Sequence, residues 1–330
     1  MRLRTPVTFL RRTRPATGGI VSYVRNTYPN DVTGVACYDH ILRTVLPGTR
    51  SFTQRAAMRK YCKEHPDVIV ITDNHMCLDV PLETKCIIVH HGIAKLHGDR
   101  EPDWARRNAS LIQGQRRMLQ KRSPANTRIV SCSTFCSRHF EAIYGQLYTQ
   151  FQRHVVPHMS ALELYGQSPE RAVREGLPVI CGDWRLPHKG SRIIQHVKAM
   201  LDEEFEFRQM KVQPPKPFDP AAFAQAKMDF YSQCDLMLCL SLHEGNSYFV
   251  LDGMYCNLPL VTTDVGLADD LVKGRDATIL QWKRAFRDAG YVAAAVRDTW
   301  KKPMSSRVLY DQKWSMEHYT RAMNSVIATL

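Results

Sequence analysis

Short apolar runs bounded by turn residues recur along the first half of the chain, and helix-compatible stretches separate most of them. Nearly continuous apolar strands that alternate with helices are typical of a parallel sheet covered on both faces. The predicted strands of this half are residues 7–10, 34–38, 67–71, 86–89 and 128–131. The pattern therefore indicates an α/β fold.

The same pattern restarts after a segment at residues 157–177 in which proline and glycine are frequent, as they are in a linker. The predicted strands of the second half are residues 177–181, 235–240 and 258–262. A chain of 330 residues is also longer than one hydrophobic core usually supports. We therefore predict two successive α/β domains, over residues 1–160 and 175–311.

Cysteines are frequent, and most of the ten lie within apolar runs. Thiols in such positions are usually reduced and fill the core, so we expect a reducing compartment and predict a cytoplasmic protein. Cys132, Cys136 and His139 could form half of a metal site, but no second Cys/His pair stands at a zinc-like spacing. We therefore predict no metal site.

Targeting and membrane signals are weak in this sequence. No apolar stretch approaches the roughly 20 residues that span a bilayer. The first thirty residues contain six arginines and no acid, so a transit peptide is an alternative for this segment.

The charge is strongly positive: 45 Lys and Arg residues outnumber 32 Asp and Glu residues, for a formal net charge of +13. Such an excess predicts an anionic partner, which could be a nucleotide, nucleic acid or an acidic lipid surface. Six of the cations lie in residues 104–122, which can be drawn as one basic amphipathic helix. This helix could bind an anionic membrane or a polyanion, or it could simply pack its apolar stripe on the first domain.

The common nucleotide-binding signatures are absent. The sequence contains neither G-x-G-x-x-G nor G-x-x-x-x-G-K-[ST], which disfavours a dinucleotide enzyme and a P-loop NTPase. It also lacks an Asp-x-Asp pair of the kind that holds a divalent ion on a diphosphate.

The segment over residues 234–254 carries the most chemistry. A buried strand is predicted to end at about Leu240, a turn contains Glu244 and Gly245, and a helix begins near Ser247. A helix start offers free N–H groups and the positive end of a dipole, and a glycine lets the backbone approach an anion. The predicted donor-binding residues here are Gly245, Asn246, Ser247 and Asp252.

This segment resembles the family-4 type of retaining glycosyltransferase, whose pattern is Glu-Gly-x-x followed by a second Glu eight positions after the first. Here Glu244 is the first acid and Asp252 stands in place of the second, and the resemblance continues to Gly266. It implies a GT-B fold, in which two Rossmann-like domains face a cleft and the second domain holds most of the nucleotide. It also implies that Glu244 lies beside the donor sugar and that Asp252 binds the ribose hydroxyls.

Further residues match the same family. The resemblance implies that Arg185 and Lys189 grip the donor diphosphate, which fixed cations can stabilise as a metal would. It implies that Gly18 and Gly19 form a glycine loop under the phosphates, although a plain turn is the alternative. His90 or His91 would lie near the donor sugar as a catalytic residue; His91 is favoured because it precedes the loop glycine, and a structural role is the alternative for either.

The last helix, at about residues 312–330, resembles the family's tail that crosses back onto the first domain. The predicted function is metal-independent transfer of a sugar, with retention of configuration, from a nucleotide sugar to an acceptor hydroxyl. A UDP- or GDP-sugar is the expected donor, and no separate cofactor is expected. A glycan or lipid-linked molecule is the expected acceptor, and peripheral membrane binding is the expected way to reach a lipid-linked one. The alternatives are a non-catalytic nucleic-acid-binding protein and a nucleotide-sugar epimerase or phosphorylase.

Overall fold

The computed structural model describes residues 19–24, 34–173, 175–215, 219–302 and 305–330. Its strands form two sheets, one in each half of the chain, and all recorded strand pairings within them are parallel. The predicted α/β fold with two Rossmann-like units is confirmed.

The first sheet has six strands in the order β2-β1-β3-β4-β5-β6. These are β1 Ile20–Tyr23, β2 Arg50–Phe52, β3 Ile69–Asp73, β4 Lys85–His90, β5 Thr127–Ser131 and β6 Gln152–Val155. Successive side chains of the central strands point to opposite faces: Ile87 and Val89 join one buried cluster, whereas Cys86 and Ile88 join another. Helices must therefore cover both faces, as the continuous apolar runs predict.

Those helices and the 3₁₀ segments of the first half alternate with the strands. They are α1 Gly34–Val45, α2 Arg55–Glu64, the 3₁₀ helix Asn74–Asp79, α3 Ala94–Arg100, α4 Pro102–Arg107, α5 Ala109–Lys121, α6 Thr134–Tyr144, α7 Gln146–Thr149 and the 3₁₀ helix Ala161–Leu164.

The second sheet has five strands in the order β11-β10-β9-β7-β8. These are β7 Val179–Gly182, β8 Glu206–Gln209, β9 Leu236–Cys239, β10 Leu260–Thr263 and β11 Thr278–Leu280. The accompanying helices are α8 Ile193–Leu201, α9 Pro220–Ser232, α10 Tyr248–Tyr255, α11 Trp282–Ala285, α12 Ala289–Trp300, α13 Ser306–Lys313 and α14 Met316–Ile327, with 3₁₀ helices Pro187–Lys189 and Gly266–Asp270.

The last helix, α14, packs on the first sheet rather than the second. Its residues Tyr319, Met323 and Val326 belong to the buried cluster that also contains Ile87 of β4. Arg128 of β5 donates from Nε to Thr329 Oγ1 at 3.0 Å just beyond the helix. After the second sheet is complete, the end of the chain therefore returns to the first domain.

The predicted strand at residues 34–38 is wrong, because these residues form the first turns of α1. A short apolar run fits either element, and the deciding signal is the continuation of the pattern. Tyr38, Ile41, Leu42 and Val45 are buried at the i, i+3, i+4, i+7 spacing of a helix face. The predicted strand at residues 7–10 lies outside the described residues.

The single helix predicted over residues 104–122 is also wrong. It is divided into α4 and α5 at Asn108, whose side-chain amide donates to the Trp104 carbonyl at 2.9 Å. The last cation, Arg122, is buried and donates to the Pro81 and Thr84 carbonyls at 2.9 and 2.7 Å. Met118 and Leu119 are fully buried in the first domain, so α5 packs its apolar stripe there as the alternative interpretation predicted.

The ten cysteines all lie in the described part of the chain, and none of them is in a disulfide. All but Cys37 are buried, as their apolar surroundings predict. Among the described helices, none is both long enough and apolar enough to cross a membrane.

Candidate active site

A lysine and a glutamate meet at the carboxyl edge of the second sheet. Lys189 ends the 3₁₀ helix that follows β7, and Glu244 lies in the loop that follows the neighbouring strand β9. The ammonium of Lys189 donates to Glu244 Oε1, and Ser241 Oγ donates to the same oxygen at 3.0 Å. Ligands of open α/β sheets bind at this edge, so the pair lies where a ligand is expected.

The geometry of both loops is fixed by backbone contacts. Gly190 has φ +83°, and a Cβ there would lie 2.8 Å from Leu240 Cβ, so a glycine is required beside Lys189. The Leu242 N–H donates to the His188 carbonyl at 2.9 Å and ties the two loops together. The sequence therefore positions the lysine and glutamate through main-chain geometry.

The two charges of this pair stabilise each other. Burial alone would lower the pKa of Lys189, but the Glu244 carboxylate outweighs that effect and holds the pKa of the ammonium above its usual value. The side chains of Lys189 and Glu244 remain 23% and 16% exposed, so a solute can still reach them. Lys189 is therefore held in its charged form beside an accessible acid.

Gly245 brings the second domain against the first. A Cβ at Gly245 would lie 2.0 Å from the His91 carbonyl oxygen, and Ser133 Oγ donates to the Gly245 carbonyl at 2.7 Å. A glycine is therefore required where the backbone approaches the His91–Gly92 segment of the first domain. Its expected contact with an anion stays a prediction.

The start of α10 is capped from within the chain. Ser247 is the N-cap, and its Oγ accepts from the Val250 N–H at 3.4 Å. Asn246 is buried, and neither polar atom of its amide has a hydrogen-bond partner among the described residues. A buried amide in that state is unusual, which makes Asn246 the residue of this turn best suited to accept a ligand contact.

The two predicted histidines have different surroundings. His90 is fully buried and stacks on Phe140 with ring centroids 3.7 Å apart, and burial lowers its pKa to about 3. His90 is therefore packed as a core histidine, which favours the structural alternative for this residue. His91 instead lies against the Gly245 loop, and its Nδ1 is 2.8 Å from His158 Nε2.

An acid that the sequence analysis missed faces His91. Asp73 Oδ1 lies 3.7 Å from His91 Nε2 at the carboxyl ends of adjacent strands β3 and β4. Burial raises the pKa of Asp73 to about 7 and lowers that of His91 to about 3, so both groups favour their neutral forms. The available signal was the position of Asp73 just past a predicted strand.

Asn74 holds this acid in a strained turn. Its amide donates to Asp73 Oδ1 at 2.6 Å, and its backbone has φ +34°, which is rare for a residue other than glycine. Gln115 donates from Nε2 to Asn74 Oδ1 at 2.9 Å and to the Gly92 carbonyl at 2.8 Å. The Gln115 side chain of α5 therefore fixes both the loop after β3 and the loop after β4.

Asp252, the predicted ribose contact, is buried and engaged. Ser160 Oγ donates to Asp252 Oδ1 at 2.6 Å, and the Lys227 ammonium donates to Oδ2. The side chain is only 2% exposed. A ribose could reach this carboxylate only if one of the two partners gave way.

Residues 206–300, which include Glu244 and Asp252, match the family described as glycosyl transferases group 1. The two parallel sheets match solved glycosyltransferase structures over nearly the whole chain. The chain has the GT-B glycosyltransferase fold. The resemblance to family-4-like glycosyltransferases is thereby confirmed at the level of family segment and fold. No curated protein matches the chain.

Three solved structures illustrate the likeness. Sucrose-phosphate synthase from Thermosynechococcus elongatus has a TM-score of 0.66 at 12% identity, covering 94% of this chain and 88% of that one. WaaG, a glycosyltransferase involved in lipopolysaccharide biosynthesis, has a TM-score of 0.64 at 12% identity, covering 93% and 99%. Anabaena HepE in complex with UDP-glucose has a TM-score of 0.61 at 12% identity, covering 94% and 99%.

Two predicted phosphate contacts of this GT-B chain do not gather at the Lys189–Glu244 pair. Arg185 is exposed and pairs with Asp183, with Nε 2.7 Å from Oδ1. Gly19 precedes β1, with φ +79°, and its carbonyl accepts from the Ile69 N–H at the amino edge of the sheet. Gly19 therefore lies before β1 and not after it, Gly18 lies outside the described residues, and the glycine loop stays a prediction.

One group of residues could hold a metal. Among the described residues, His97, Glu101 and His243 bring their ligand atoms within 4.8 Å of one another. The sequence analysis missed this group because His243 lies far along the chain from His97 and Glu101. The half-site considered there, Cys132 with Cys136 and His139, is not among such groups in the described part of the chain.

Proposed function

We propose that this chain transfers a sugar from a nucleoside diphosphate donor to an acceptor hydroxyl, with retention of the anomeric configuration. The observation that carries the proposal is the Lys189–Glu244 pair at the carboxyl ends of β7 and β9. It combines a partly exposed cation with an acid at the edge where nucleotides bind in open α/β sheets. The group 1 family segment and the GT-B fold support this assignment.

Lys189 is the proposed contact to the donor diphosphate. Its ammonium has one carboxylate partner in the structure, and an ammonium can donate three hydrogen bonds. It can therefore donate to a phosphate oxygen while Glu244 turns to the hydroxyls of the donor sugar. A fixed cation stabilises the charge that grows on the leaving diphosphate.

Arg185 is the second proposed cation. In the structure Arg185 pairs with Asp183 on the surface, so a contact between Arg185 and the diphosphate requires this ion pair to open. We propose that these cations take the place of a metal on the diphosphate. The lack of an Asp-x-Asp pair in the sequence supports this point.

Retention follows if the acceptor attacks the face that the diphosphate leaves. The departing phosphate oxygen then takes the proton of the acceptor hydroxyl, and the new glycosidic bond forms on the same face. His91 is proposed to contact the donor sugar, because it lies beside Gly245 and its neutral imidazole has one ring nitrogen without a hydrogen-bond partner among the described residues.

The donor is proposed to be a UDP- or GDP-sugar. HepE, a structural relative, was solved with UDP-glucose, which places uridine nucleotides first in a screen. The proposed acceptor is a glycan or lipid-linked molecule bound by the first domain, in a cytoplasmic enzyme that reaches a membrane from its surface. A nucleic-acid-binding protein would account for the charge but leaves the Lys189 and Glu244 segments without a role.

The proposal is tested by thermal unfolding of the full chain with UDP, GDP, ADP and their sugars. A ligand at 100 times its Kd stabilises the folded state by about 2.7 kcal/mol. One nucleotide class should raise the Tm, and the matching nucleotide sugar should be consumed only when an acceptor is present. Stabilisation by none of them would contradict the proposal, and so would release of a sugar phosphate that requires added inorganic phosphate, which would indicate a phosphorylase.

A further inference from the structure

Three imidazoles surround one carboxylate where the two domains meet. His97 Nε2 lies 3.3 Å from Glu101 Oε2, whereas His188 Nδ1 and His243 Nε2 lie 3.4 and 3.8 Å from Glu101 Oε1. The rings of His97 and His243 are in contact, with centroids 3.3 Å apart. The side chains are 14–22% exposed, so the cluster is mostly buried but has a path to solvent.

These residues come from separate parts of the chain. His97 lies in α3 and Glu101 directly follows that helix in the first domain. His188 lies in the 3₁₀ helix after β7, and His243 lies in the loop after β9 in the second. The Arg100 guanidinium donates to the Leu242 carbonyl, so α3 and the loop after β9 are also held together beside the cluster.

The spacing of the ligand atoms suits a small divalent cation. Zinc takes tetrahedral nitrogen and oxygen ligands at about 2.0–2.2 Å, which separates neighbouring ligand atoms by about 3.3–3.5 Å. Glu101 Oε2 lies 3.3 Å from His97 Nε2, and Glu101 Oε1 lies 3.4 Å from His188 Nδ1 and 3.8 Å from His243 Nε2. The ligand atoms of His97, Glu101 and His243 all lie within 4.8 Å of one another, so these three residues can close around one ion.

Two of the ligand atoms also lack other partners. Glu101 Oε1 and His243 Nε2 are buried and have no hydrogen-bond partner among the described residues. Buried polar atoms are normally paired, and an ion between them would satisfy both. His97 is held from behind by Trp104, on which it stacks with ring centroids 3.6 Å apart. Such outer contacts orient imidazole ligands.

We propose that His97, Glu101 and His243 bind one zinc ion, with His188 as the fourth ligand. The ion links the first domain to the second beside Lys189 and Glu244, and its ligands come entirely from protein side chains. It is therefore distinct from a metal on the donor diphosphate. The proposal does not depend on the identity of the donor.

The test is equilibrium dialysis of the full chain against Zn²⁺, with bound metal measured by mass spectrometry. The wild type should retain one zinc ion per chain. His97→Gln and His243→Gln should each weaken zinc binding by at least about tenfold, because loss of a residue that merely supports a ligand already costs about that much. His196→Gln is the matched control, because His196 is exposed on α8 and should leave binding unchanged.

Cobalt substitution keeps the proposal testable if a variant fails to fold. The wild type loaded with Co²⁺ should display the visible absorption of a tetrahedral site with nitrogen and oxygen ligands. A thiolate-to-cobalt charge-transfer band would place the ion at cysteines and overturn the proposal. Absence of stoichiometric zinc in the wild type, or unchanged binding in both histidine variants, would also overturn it.

Discussion

The Lys189 ammonium is bonded to Glu244 Oε1, and this contact joins the loops after two neighbouring parallel strands. Neither residue is fully buried, so the pair is neither a core ion pair nor a free surface one. The Glu244 carboxylate raises the pKa of the Lys189 ammonium and so keeps this lysine charged. The predictions that follow separate the roles of the two residues and of the groups around them.

Replacement of Glu244 by Gln should reduce turnover far more than affinity for the free nucleoside diphosphate. The amide can still accept from Ser241, but it no longer carries the charge proposed to act beside the reacting sugar. We expect kcat to fall by about 100-fold or more, the scale of losing a stabilising contact at the reacting centre. Steady-state kinetics and calorimetric titration with the diphosphate measure the two effects.

The control for this variant is Glu141→Gln, which removes an exposed acid that pairs with Arg153 at 2.8 Å. It should leave both quantities unchanged. Equal losses of turnover and nucleotide affinity in Glu244→Gln would reassign Glu244 to simple binding.

Asp73 should make the stability of the protein depend on pH. Its pKa is about 7 in the folded state, above the ordinary value of 3.8, so its protonated form stabilises the fold. That contribution is complete below about pH 4 and is lost as the pH rises through about 7. The free energy of unfolding of the wild type should therefore fall over this range relative to that of Asp73→Asn.

The measurement is urea unfolding of both proteins at several pH values. His91 has the opposite dependence, since its lowered pKa removes stability as the pH falls. Above about pH 4 the folded His91 is neutral in both proteins, so its contribution comes from the unfolded state alone and cancels in the difference. Parallel pH profiles of the two proteins would show that Asp73 is already ionised in the folded state.

Lys227 should be important for stability because it neutralises the buried Asp252. The side chains are 18% and 2% exposed, and Lys227→Met leaves the carboxylate with Ser160 alone. Breaking one side of a buried pair costs about 3–5 kcal/mol. Urea unfolding should report a loss on this scale.

The exposed pair of Lys60 and Glu64, with a 4.0 Å separation, gives the comparison. Lys60→Met should cost less than about 1 kcal/mol. The double variant Lys227→Met with Asp252→Asn should recover part of the loss, since it no longer buries an unpaired charge. A cost for Lys227→Met no larger than that for Lys60→Met would mean that Asp252 is solvated and free to bind ribose.

Four arginines of α4 and α5 are exposed and are proposed to bring the enzyme to an acidic surface: Arg106, Arg107, Arg116 and Arg117. Replacing all four by Gln should weaken sedimentation with anionic vesicles, because each basic residue near such a surface contributes about 1 kcal/mol. Retention on duplex DNA is measured separately. Loss of DNA retention alone would favour a nucleic-acid acceptor, and no change in either assay would contradict the surface role.

The control removes the same charge from the second domain at four exposed arginines: Arg192, Arg275, Arg284 and Arg287. This variant has the same net charge as the first. An equal effect in both would indicate that binding depends on total charge and not on α4 and α5.

The sequence predicted those parts of the site that depend on residues close together along the chain. Lys189 and Glu244 each follow a continuous apolar strand, and the parallel arrangement of such strands brings their loops to one edge. Both residues were expected at the donor from the family resemblance, but their direct contact was not predicted. The division of residues 104–122 into two helices was missed because the single-helix interpretation weighed apolar spacing and charge, and did not consider Asn108 as a helix end.

Contacts between distant segments could not be predicted. Glu101, His188 and His243 lie in three separate segments of the chain, and only the packing of the two domains brings them together. The engagement of Asp252 by Ser160 and Lys227 depends on how the interdomain segment and α9 lie against α10. The eight-residue spacing between Glu244 and Asp252 predicts on which turn of α10 Asp252 lies, but not which side chains surround it.

The measurement that tests the central claim most directly is calorimetric titration of the nucleoside diphosphate into Lys189→Ala, with the wild type and Lys60→Ala beside it. A charge-assisted contact contributes about 1.5–3 kcal/mol, so affinity should fall by roughly 10- to 150-fold in Lys189→Ala. Lys60→Ala should bind as the wild type does, and adding or omitting Mg²⁺ should leave the wild-type affinity unchanged. Wild-type affinity in Lys189→Ala would remove Lys189 from the donor site and contradict the account.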